Sequence, residues 1–202
     1  MTLTFDKASH SYTLDGRWVP NVTLVTDALS SYAGVPADVL KRKAAIGDAV
    51  HYATELYDAN DLDWNSVPIE IEGYVKGWVK FKEDTGWITE LSEQRVYSEK
   101  YQYAGTLDCV GRFTKLRRLK PRHTIILDKK TTYDYLPSFG PQIAGYLQAW
   151  NEHHTPKATH RVAVRLMPDG TYELYECDDP TDWSVYLSAL SLRNWKHRHG
   201  IN

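Results

Sequence analysis

The segment Thr124-Ile-Ile-Leu-Asp-Lys-Lys130 decides how the rest of the chain is interpreted, because an unbroken apolar run ends in charged residues. An apolar run of this length is typical of a β-strand that is covered on both sides. The two-residue repeat of a strand places Ile126, Asp128 and Lys130 on one face. A carboxylate at the end of such a strand must be paired or bound to a metal, since burying an isolated charge is costly. Asp128 is therefore the first candidate site residue.

A second acid is expected on the preceding strand. Residues 87–114 alternate as strands do, and a chain reversal is predicted near residues 99–103. In the second of these strands, Asp108 is predicted to point away from the more apolar face. If the two strands are neighbours, Asp108 and Asp128 converge on one hard divalent cation, with the backbone carbonyl of Lys129 as a further ligand. Oxygen ligands of this kind suit Mg²⁺ or Mn²⁺.

Lys130 lies two residues after Asp128 on the same strand face. Its amine can lie near an attacking water and a scissile phosphate, where it would orient the nucleophile and offset developing charge. The alternative for an isolated Asp-x-Lys is a simple salt bridge. The order of elements favours the first interpretation, because an Asp-bearing strand and the Asp-x-Lys strand precede a helix that carries Gln142-x-x-x-Tyr146. This order indicates metal-dependent cleavage of phosphodiester bonds.

The remaining pattern predicts a single α/β domain over residues 1–202, with a mixed central sheet flanked by helices. The turn pair Asp15-Gly16 predicts an N-terminal hairpin within about residues 1–22, followed by a short helix from Thr23. The core spans about residues 36–195, and its predicted elements, besides the strands above, are helices over 36–57, 69–84, 142–152 and 183–195 and a closing hairpin over 161–176. Pro137, Gly140 and Pro141 predict a loop before the third of these helices.

Composition limits the classes of function. The formal net charge of −2 argues against a protein that binds nucleic acid through bulk charge, but it does not exclude a nuclease with local acidic and basic groups. Cys109 and Cys177 are the only cysteines, which excludes a disulfide-dense scaffold and a four-cysteine iron-sulfur cluster or zinc site. No stretch approaches the roughly 18 apolar residues of a membrane span, and residues 1–6 lack a secretory signal, so a cytoplasmic protein without a membrane partner is expected.

Together these motifs resemble the PD-(D/E)XK nuclease superfamily, in particular the RecB-like exonucleases and the related phage recombination nucleases. That group carries Gly-x-x-x-His on an early helix, which Gly47 and His51 match. The resemblance covers most of the chain and implies a restriction-endonuclease-like fold whose core runs helix, three strands, helix, strand. One departure is that Asp128 stands where many relatives have Glu, a change that retains the carboxylate oxygens.

The resemblance implies roles for individual residues. Asp108 and Asp128 would be metal ligands and Lys130 the catalytic lysine. His51 would be an additional ligand, although a histidine alone is more often a surface or hydrogen-bonded helix residue. Glu93 lies where relatives often place another acid near the metal, and a solvated strand residue is the equal alternative.

DNA contacts are expected from two further segments. By the same resemblance Gln142 and Tyr146 would position DNA, with a packed aromatic as the alternative for Tyr146. The basic segment Lys41, Arg42 and Lys43 precedes His51 on the same helix, and it would contact the DNA backbone if that helix lines the cleft. Tyrosines near the two acid-bearing strands can stack on splayed bases or pack at the core and rim; they are Tyr101, Tyr103, Tyr133 and Tyr135. The basic segment 193–199 is expected to be a solvated tail.

The function that follows is a Mg²⁺- or Mn²⁺-dependent deoxyribonuclease in which an activated water attacks the phosphate without a covalent enzyme intermediate. A stand-alone phage-type exonuclease of DNA recombination or processing is favoured by analogy. A structure-specific endonuclease, a non-catalytic DNA-binding module and an enzyme of small phosphate esters remain as alternatives. DNA is the expected partner, and the analogy adds a single-strand annealing protein and a ring-shaped homo-oligomer.

Overall fold

This computed structural model describes residues 1–30 and 34–201 of the chain. These residues form two β-sheets with flanking helices. The smaller sheet is antiparallel and has the order β1-β2-β3. Its strands are β1 (Leu3–Asp6), β2 (Ser11–Leu14) and β3 (Arg17–Val19). The turn at Asp15 and Gly16 has positive φ angles of 48° and 76°, as expected for a two-residue hairpin turn. The predicted N-terminal hairpin is therefore present, but it gains β1 as a third strand.

The larger sheet has the order β4-β5-β6-β7-β8. Its strands are β4 (Trp87–Ser98), β5 (Tyr103–Phe113), β6 (Thr124–Lys130), β7 (Ala158–Leu166) and β8 (Tyr172–Glu176). Strands β6 and β7 pair in parallel, and the other neighbours are antiparallel. The parallel pair is joined through helix α4 (Phe139–His153), since parallel strands need a long crossover. The predicted α/β class with a mixed central sheet is confirmed.

The other helices are α1 (Val22–Thr26), α2 (Ala37–Asp58), α3 (Ile69–Thr85) and α5 (Asp182–Arg198). Helices α2 and α3 each begin directly after a proline, Pro36 and Pro68. Helix α3 ends at Gly86, whose φ of 66° is the left-handed conformation that glycine adopts without strain. Among the described helices, none combines the length and the apolarity that crossing a membrane requires.

Helices cover both faces of the larger sheet. On one face Ile126 belongs to the same buried cluster as Ile143 of α4 and Tyr186 of α5. On the other face Leu127 shares a buried cluster with Trp78 of α3 and with part of α2. The alternation of Ile126 and Leu127 between the two clusters confirms that β6 is covered on both sides.

The small sheet packs against β5. Tyr12, Leu14 and Val19 form a buried cluster with Ala104. The Tyr12 hydroxyl also lies 2.7 Å from Thr106 Oγ1. These contacts fix the N-terminal sheet to the strand that leads to Asp108.

Three predictions of element limits were wrong. Helix α4 begins at Phe139, so Gly140 and Pro141 lie in its first turn, where the missing N–H of proline breaks no helical hydrogen bond. Helix α5 continues to Arg198 instead of ending near Trp195, and His197 of the predicted tail stacks on the Trp18 ring at 4.3 Å. Strand β7 begins three residues early, because its pairing with β6 starts at Ala158 opposite Thr124.

Strand β5 is buried on both faces, including the less apolar face that was predicted to carry Asp108. Val110 lies two residues from Asp108 and is 1% exposed, within the buried cluster under α4. Phe113 is fully buried in the cluster under α3. Strand β5 is therefore covered on both faces, and Asp108 is a polar residue in a strand that is otherwise mostly core.

Candidate metal centre

The two acid-bearing strands are neighbours, as the convergence of Asp108 and Asp128 requires. In the antiparallel register Cys109 pairs with Leu127. Beyond this pair, the backbone N–H of Lys129 donates to the side chain of Asp108, at 2.6 Å from Oδ2, instead of to a backbone carbonyl of β5. The carboxylate of Asp108 thus accepts a backbone hydrogen bond at the point where the pairing between β5 and β6 ends. Both acids lie at this end of the sheet.

His51, Glu93 and Asp108 form the tightest group of candidate ligands among the described residues. The Nδ1 atom of His51 lies 3.5 Å from Asp108 Oδ1 and 3.9 Å from Glu93 Oε1. One ligand atom from each residue lies within 4.8 Å of the other two. A nitrogen and two carboxylate oxygens at this spacing can hold a metal ion.

The hydrogen bond on the far side of the His51 ring suits this role. His51 Nε2 lies 3.2 Å from the carbonyl oxygen of Lys129. When Nε2 donates to that carbonyl, the neutral ring carries its lone pair on Nδ1, which faces the two carboxylates. Burial lowers the pKa of His51, but the neighbouring Asp108 and Glu93 carboxylates outweigh it and raise the pKa overall. The Lys129 carbonyl thus lies within hydrogen-bond distance of the histidine, and its predicted role as a metal ligand stays a prediction.

Glu93 occupies an unusual position in β4. Its backbone φ is +49°, a conformation that costs a non-glycine residue on the order of 1 kcal/mol or more. Its Oε1 atom is buried and has no hydrogen-bond partner among the described residues. A buried carboxylate oxygen without a donor, facing His51, fits a cation as its missing partner. Of the two alternatives for Glu93, the structure favours the one inside the site.

Asp128 lies outside this three-residue group and is paired differently. Its Oδ2 atom lies 2.5 Å from Lys130 Nζ, and the residue is only 3% exposed. Burial raises the pKa of Asp128, the Lys130 ammonium opposes this, and the Asp108 carboxylate raises it further, so the pKa is raised overall. The tightest group of candidate ligands is thus His51, Glu93 and Asp108, with Asp128 beside the lysine, and the predicted ligand role of Asp128 stays a prediction.

Lys130 is fixed by the first turn of α4. Its amine donates to Gln142 Oε1 at 2.8 Å and lies 5.0 Å from the centre of the Phe139 ring. Gln142, predicted to contact DNA, therefore holds the lysine, and its Nε2 lies 3.5 Å from Thr23 Oγ1. The salt bridge, one of the two alternatives stated for Lys130, is present at the cleft, and the catalytic role stays a prediction.

Tyr146 is packed beneath the site and is 4% exposed. A Cβ atom on Gly105 would lie 2.8 Å from Tyr146 Cε1, so the glycine of the Gly105-to-Asp108 segment makes room for this ring. Burial raises the pKa of Tyr146 well above its usual value, and the Asp128 and Asp108 carboxylates raise it further. The packed alternative for Tyr146 describes most of its ring, although part of it borders the cleft.

All these side chains border one cleft of about 1010 Å³. Its predicted members are His51, Glu93, Asp108, Asp128, Lys130, Gln142 and Tyr146. Of the basic segment of α2, Lys43 lines the cleft, whereas Lys41 and Arg42 are exposed and do not line it. The helix does form a wall of the cleft, but its period of 3.6 residues turns only one of the three basic side chains inward.

The tyrosines fall into different environments. Tyr103 is fully buried and donates to the carbonyl of Gly145 at 2.7 Å, and Tyr135 packs against Phe139 and Tyr175. Tyr133 is 88% exposed and borders the cleft. Tyr52, which the sequence analysis missed, is 63% exposed on the same cleft. Its position directly after His51 on a helix was the available signal.

No protein-family model and no curated protein matches this chain. A solved structure described as "Crystal structure of SSO0001" is similar over 87% of this chain and 74% of that chain, with 16% sequence identity and a TM-score of 0.42. A likeness of this degree carries no argument about the fold family or the activity.

Proposed function

We propose that this chain is a metal-dependent deoxyribonuclease with the restriction-endonuclease-like fold of the PD-(D/E)XK superfamily. The observation that carries the proposal is the meeting, at one end of the sheet, of a three-residue ligand group with the paired amine of Lys130. A structural salt bridge alone does not account for the unpartnered Glu93 oxygen beside it. An ion held by His51, Glu93 and Asp108 accounts for the grouping of these three side chains and supplies the missing partner of the Glu93 oxygen.

The donor set fits Mn²⁺ or Mg²⁺. Carboxylate oxygens suit both ions, and the imidazole nitrogen of His51 favours Mn²⁺, the softer of the two. When bound, such an ion polarises a phosphoryl oxygen and lowers the pKa of a coordinated water. Both effects serve hydrolysis of a phosphodiester.

The residues of the chain supply the remaining chemistry. Lys130 presents a positive charge at the cleft, where it offsets charge that develops on the phosphate. Gln142 restricts the amine to this position through its 2.8 Å hydrogen bond. The raised pKa of Asp128 makes its carboxylate a stronger base than that of an exposed aspartate. This property suits a group that accepts a proton from the attacking water.

Among nucleases, we favour an exonuclease that acts in DNA recombination or processing. The experiment incubates the purified protein with end-labelled linear duplex, linear single-stranded DNA and closed circular DNA, in Mn²⁺, Mg²⁺ or EDTA. We expect metal-dependent loss of the linear substrates that spares the circles. Asp108→Asn should lower the rate by about 100-fold or more, because it removes the negative charge of a candidate ligand while leaving an amide oxygen that can accept from Lys129 N–H.

The matched control is Asp61→Asn, which makes the same chemical change at an exposed residue that does not line the cleft. This control should cleave as the wild type does. Cleavage of the circles would identify an endonuclease at the same site. Intact DNA under every condition, or equal cleavage by Asp108→Asn and Asp61→Asn, would refute the proposal.

A further inference from the structure

The mouth of the cleft is largely apolar and aromatic. Tyr133 is 88% exposed, Tyr52 is 63% exposed, and Val35 and Val39 are each 41% exposed, and all four line the cleft. Several large apolar and aromatic side chains that remain exposed along one cleft mark a surface that binds something. Their position directly beside the candidate metal centre makes the substrate the natural occupant.

The charges along the cleft do not suit a duplex. Proteins that bind duplex DNA gather lysine and arginine against phosphates of both strands. Among the described residues that line this cleft, Lys130 is assigned to the reacting phosphate by the proposed function, which leaves Lys43 as the lysine available for the rest of the backbone. Acidic side chains outside the three-residue ligand group also line the cleft; they are Asp48, Glu55 and Asp134.

Lys129 does not change this balance. Its amine lies on the other face of the sheet, where it donates to Thr54 Oγ1 at 2.9 Å, and the residue is 1% exposed. Attraction for phosphates other than the reacting one is therefore weak, and most of the affinity for a nucleic acid must come from contacts with its bases. Stacking of bases on aromatic side chains is the usual source of such affinity in proteins that bind single strands.

The two aromatic side chains at the mouth are held by ordered backbone. The carbonyl of Tyr133 accepts a hydrogen bond from Arg165, and Thr132 Oγ1 donates to the carbonyl of Asp134 at 2.9 Å. Tyr52 lies within helix α2, next to His51. A tyrosine side chain has only two rotatable torsions, so a ring on an anchored backbone loses little conformational freedom when a base packs on it.

The walls of the cleft also come close together. A Cβ atom on Gly47 of α2 would lie 3.5 Å from Thr131 Oγ1, on the segment that follows β6. The absent side chain of Gly47 leaves space at this approach. A single strand with its bases turned aside needs less space here than a base-paired helix.

We propose that the cleft takes a single-stranded DNA end whose bases pack on Tyr52, Tyr133 and the adjacent valines, while one phosphate reaches the group of His51, Glu93 and Asp108. The inference rests on the proposed function for its last step. It names the substrate class of the same site. Base contacts supply the affinity, and Lys43 is the main contact of the backbone.

The test measures binding in EDTA, where a metal-dependent nuclease does not turn over. The probes are a fluorescein-labelled thymidine 20-mer, an abasic strand of the same length and a blunt duplex of the same length. We expect the thymidine strand to bind at least tenfold more tightly than either of the others. Tyr52→Ala and Tyr133→Ala should each weaken its binding by about tenfold, as loss of one base stack does.

Trp195→Ala is the matched control, because this aromatic side chain is 47% exposed on α5 and does not line the cleft. It should bind as the wild type does. Equal binding of the abasic and thymidine strands, tighter binding of the duplex, or no detectable binding of the thymidine strand would each overturn the inference.

The two proposals fail in different ways. Base-dependent binding of the single strand without cleavage in any metal would refute the nuclease and leave the binding site in place. Metal-dependent cleavage that the two tyrosine substitutions leave unchanged, with duplex preferred, would refute the single-strand inference and leave the nuclease in place.

Discussion

Lys129 and Lys130 carry the same side chain on consecutive residues of β6, yet their amines lie on opposite faces of the sheet. The Lys130 amine lies on the α4 side and contacts Asp128 and Gln142 at the cleft. The Lys129 amine lies on the α2 and α3 side, where it contacts Thr54 and lies 5.4 Å from the centre of the Trp78 ring. The alternation of the strand thus directs one charge to the cleft and the other into the core.

The side chain of Lys129 still affects the site, because it anchors the peptide group that contacts the candidate ligands Asp108 and His51. The N–H of Lys129 donates to Asp108, and its carbonyl lies within hydrogen-bond distance of His51. A buried ammonium with a hydroxyl and an aromatic face as neighbours holds that peptide in place. The comparison therefore separates a lysine that acts at the cleft from a lysine that acts through its own backbone.

Substituting each lysine by methionine tests this separation and has the largest expected effect. Lys130→Met should lower the cleavage rate of the proposed nuclease by about 100-fold or more, because a charge at the reacting phosphate is lost, and it should also lower stability, because the buried Asp128 loses its cationic partner. Lys129→Met should lower the free energy of unfolding by about 1 to 3 kcal/mol, because a buried charged hydrogen bond is lost. Urea unfolding in EDTA and initial cleavage rates measure the two effects.

The two variants serve as controls for each other, since both exchange the same side chains at adjacent positions. Rates are normalised to the folded fraction of each variant. Loss of cleavage in folded Lys129→Met that equals the loss in Lys130→Met would contradict the separation.

Much of this comparison could be predicted from the sequence. The period of two in β6 places Asp128 and Lys130 on one face, and the apolar run before them predicts a strand that is covered on both sides. Helices α2 and α3 begin after prolines that the sequence displays. These features depend on residues that are close together in the chain, which is why local patterns reveal them.

The grouping of the ligands could not be predicted in the same way. Glu93 reaches His51 from a backbone conformation with φ of +49°, which the alternation of a regular strand does not indicate. Asp128 pairs with Lys130 and lies outside the tightest group, a choice that depends on how α4 places Gln142. Both outcomes depend on the approach of elements that are distant in sequence.

The pH dependence of stability tests the burial of Asp128, which lies on the α4 side of β6. The expected effect is smaller than that of the lysine substitutions. The native pKa of Asp128 is raised by burial, so between about pH 4 and that raised value the native state binds more protons than the unfolded state. The free energy of unfolding in EDTA should therefore fall as the pH rises through this window. Asp128→Asn should remove about 1 to 2 kcal/mol of that fall, because the amide does not ionise.

His51, whose pKa is also raised, contributes a fall of the same sign at higher pH, as the ring loses the proton that its carboxylate neighbours favour. The measurement is therefore the difference between wild type and Asp128→Asn at pH 5 and pH 7.5, from urea unfolding. Asp61→Asn, at an exposed position, should follow the wild type. An unchanged pH dependence in Asp128→Asn would show that this carboxyl is not the buried acid described here.

The smallest expected effect concerns Gly47, which lies on the α2 side next to the end of β6. Within a helix, glycine is about 0.5 to 1 kcal/mol less favourable than alanine. A Cβ atom on Gly47 would make only an ordinary contact of 3.5 Å with Thr131 Oγ1. Gly47→Ala should therefore raise the free energy of unfolding by about 0.5 to 1 kcal/mol, and Ala45→Gly, at an exposed position of the same helix, should lower it by a similar amount. If Gly47→Ala instead lowers stability, α2 is packed too tightly against the segment after β6 to admit a methyl group. A change on the α2 side would then also disturb the end of β6 that carries Lys130, and the two faces of the strand would not be independent.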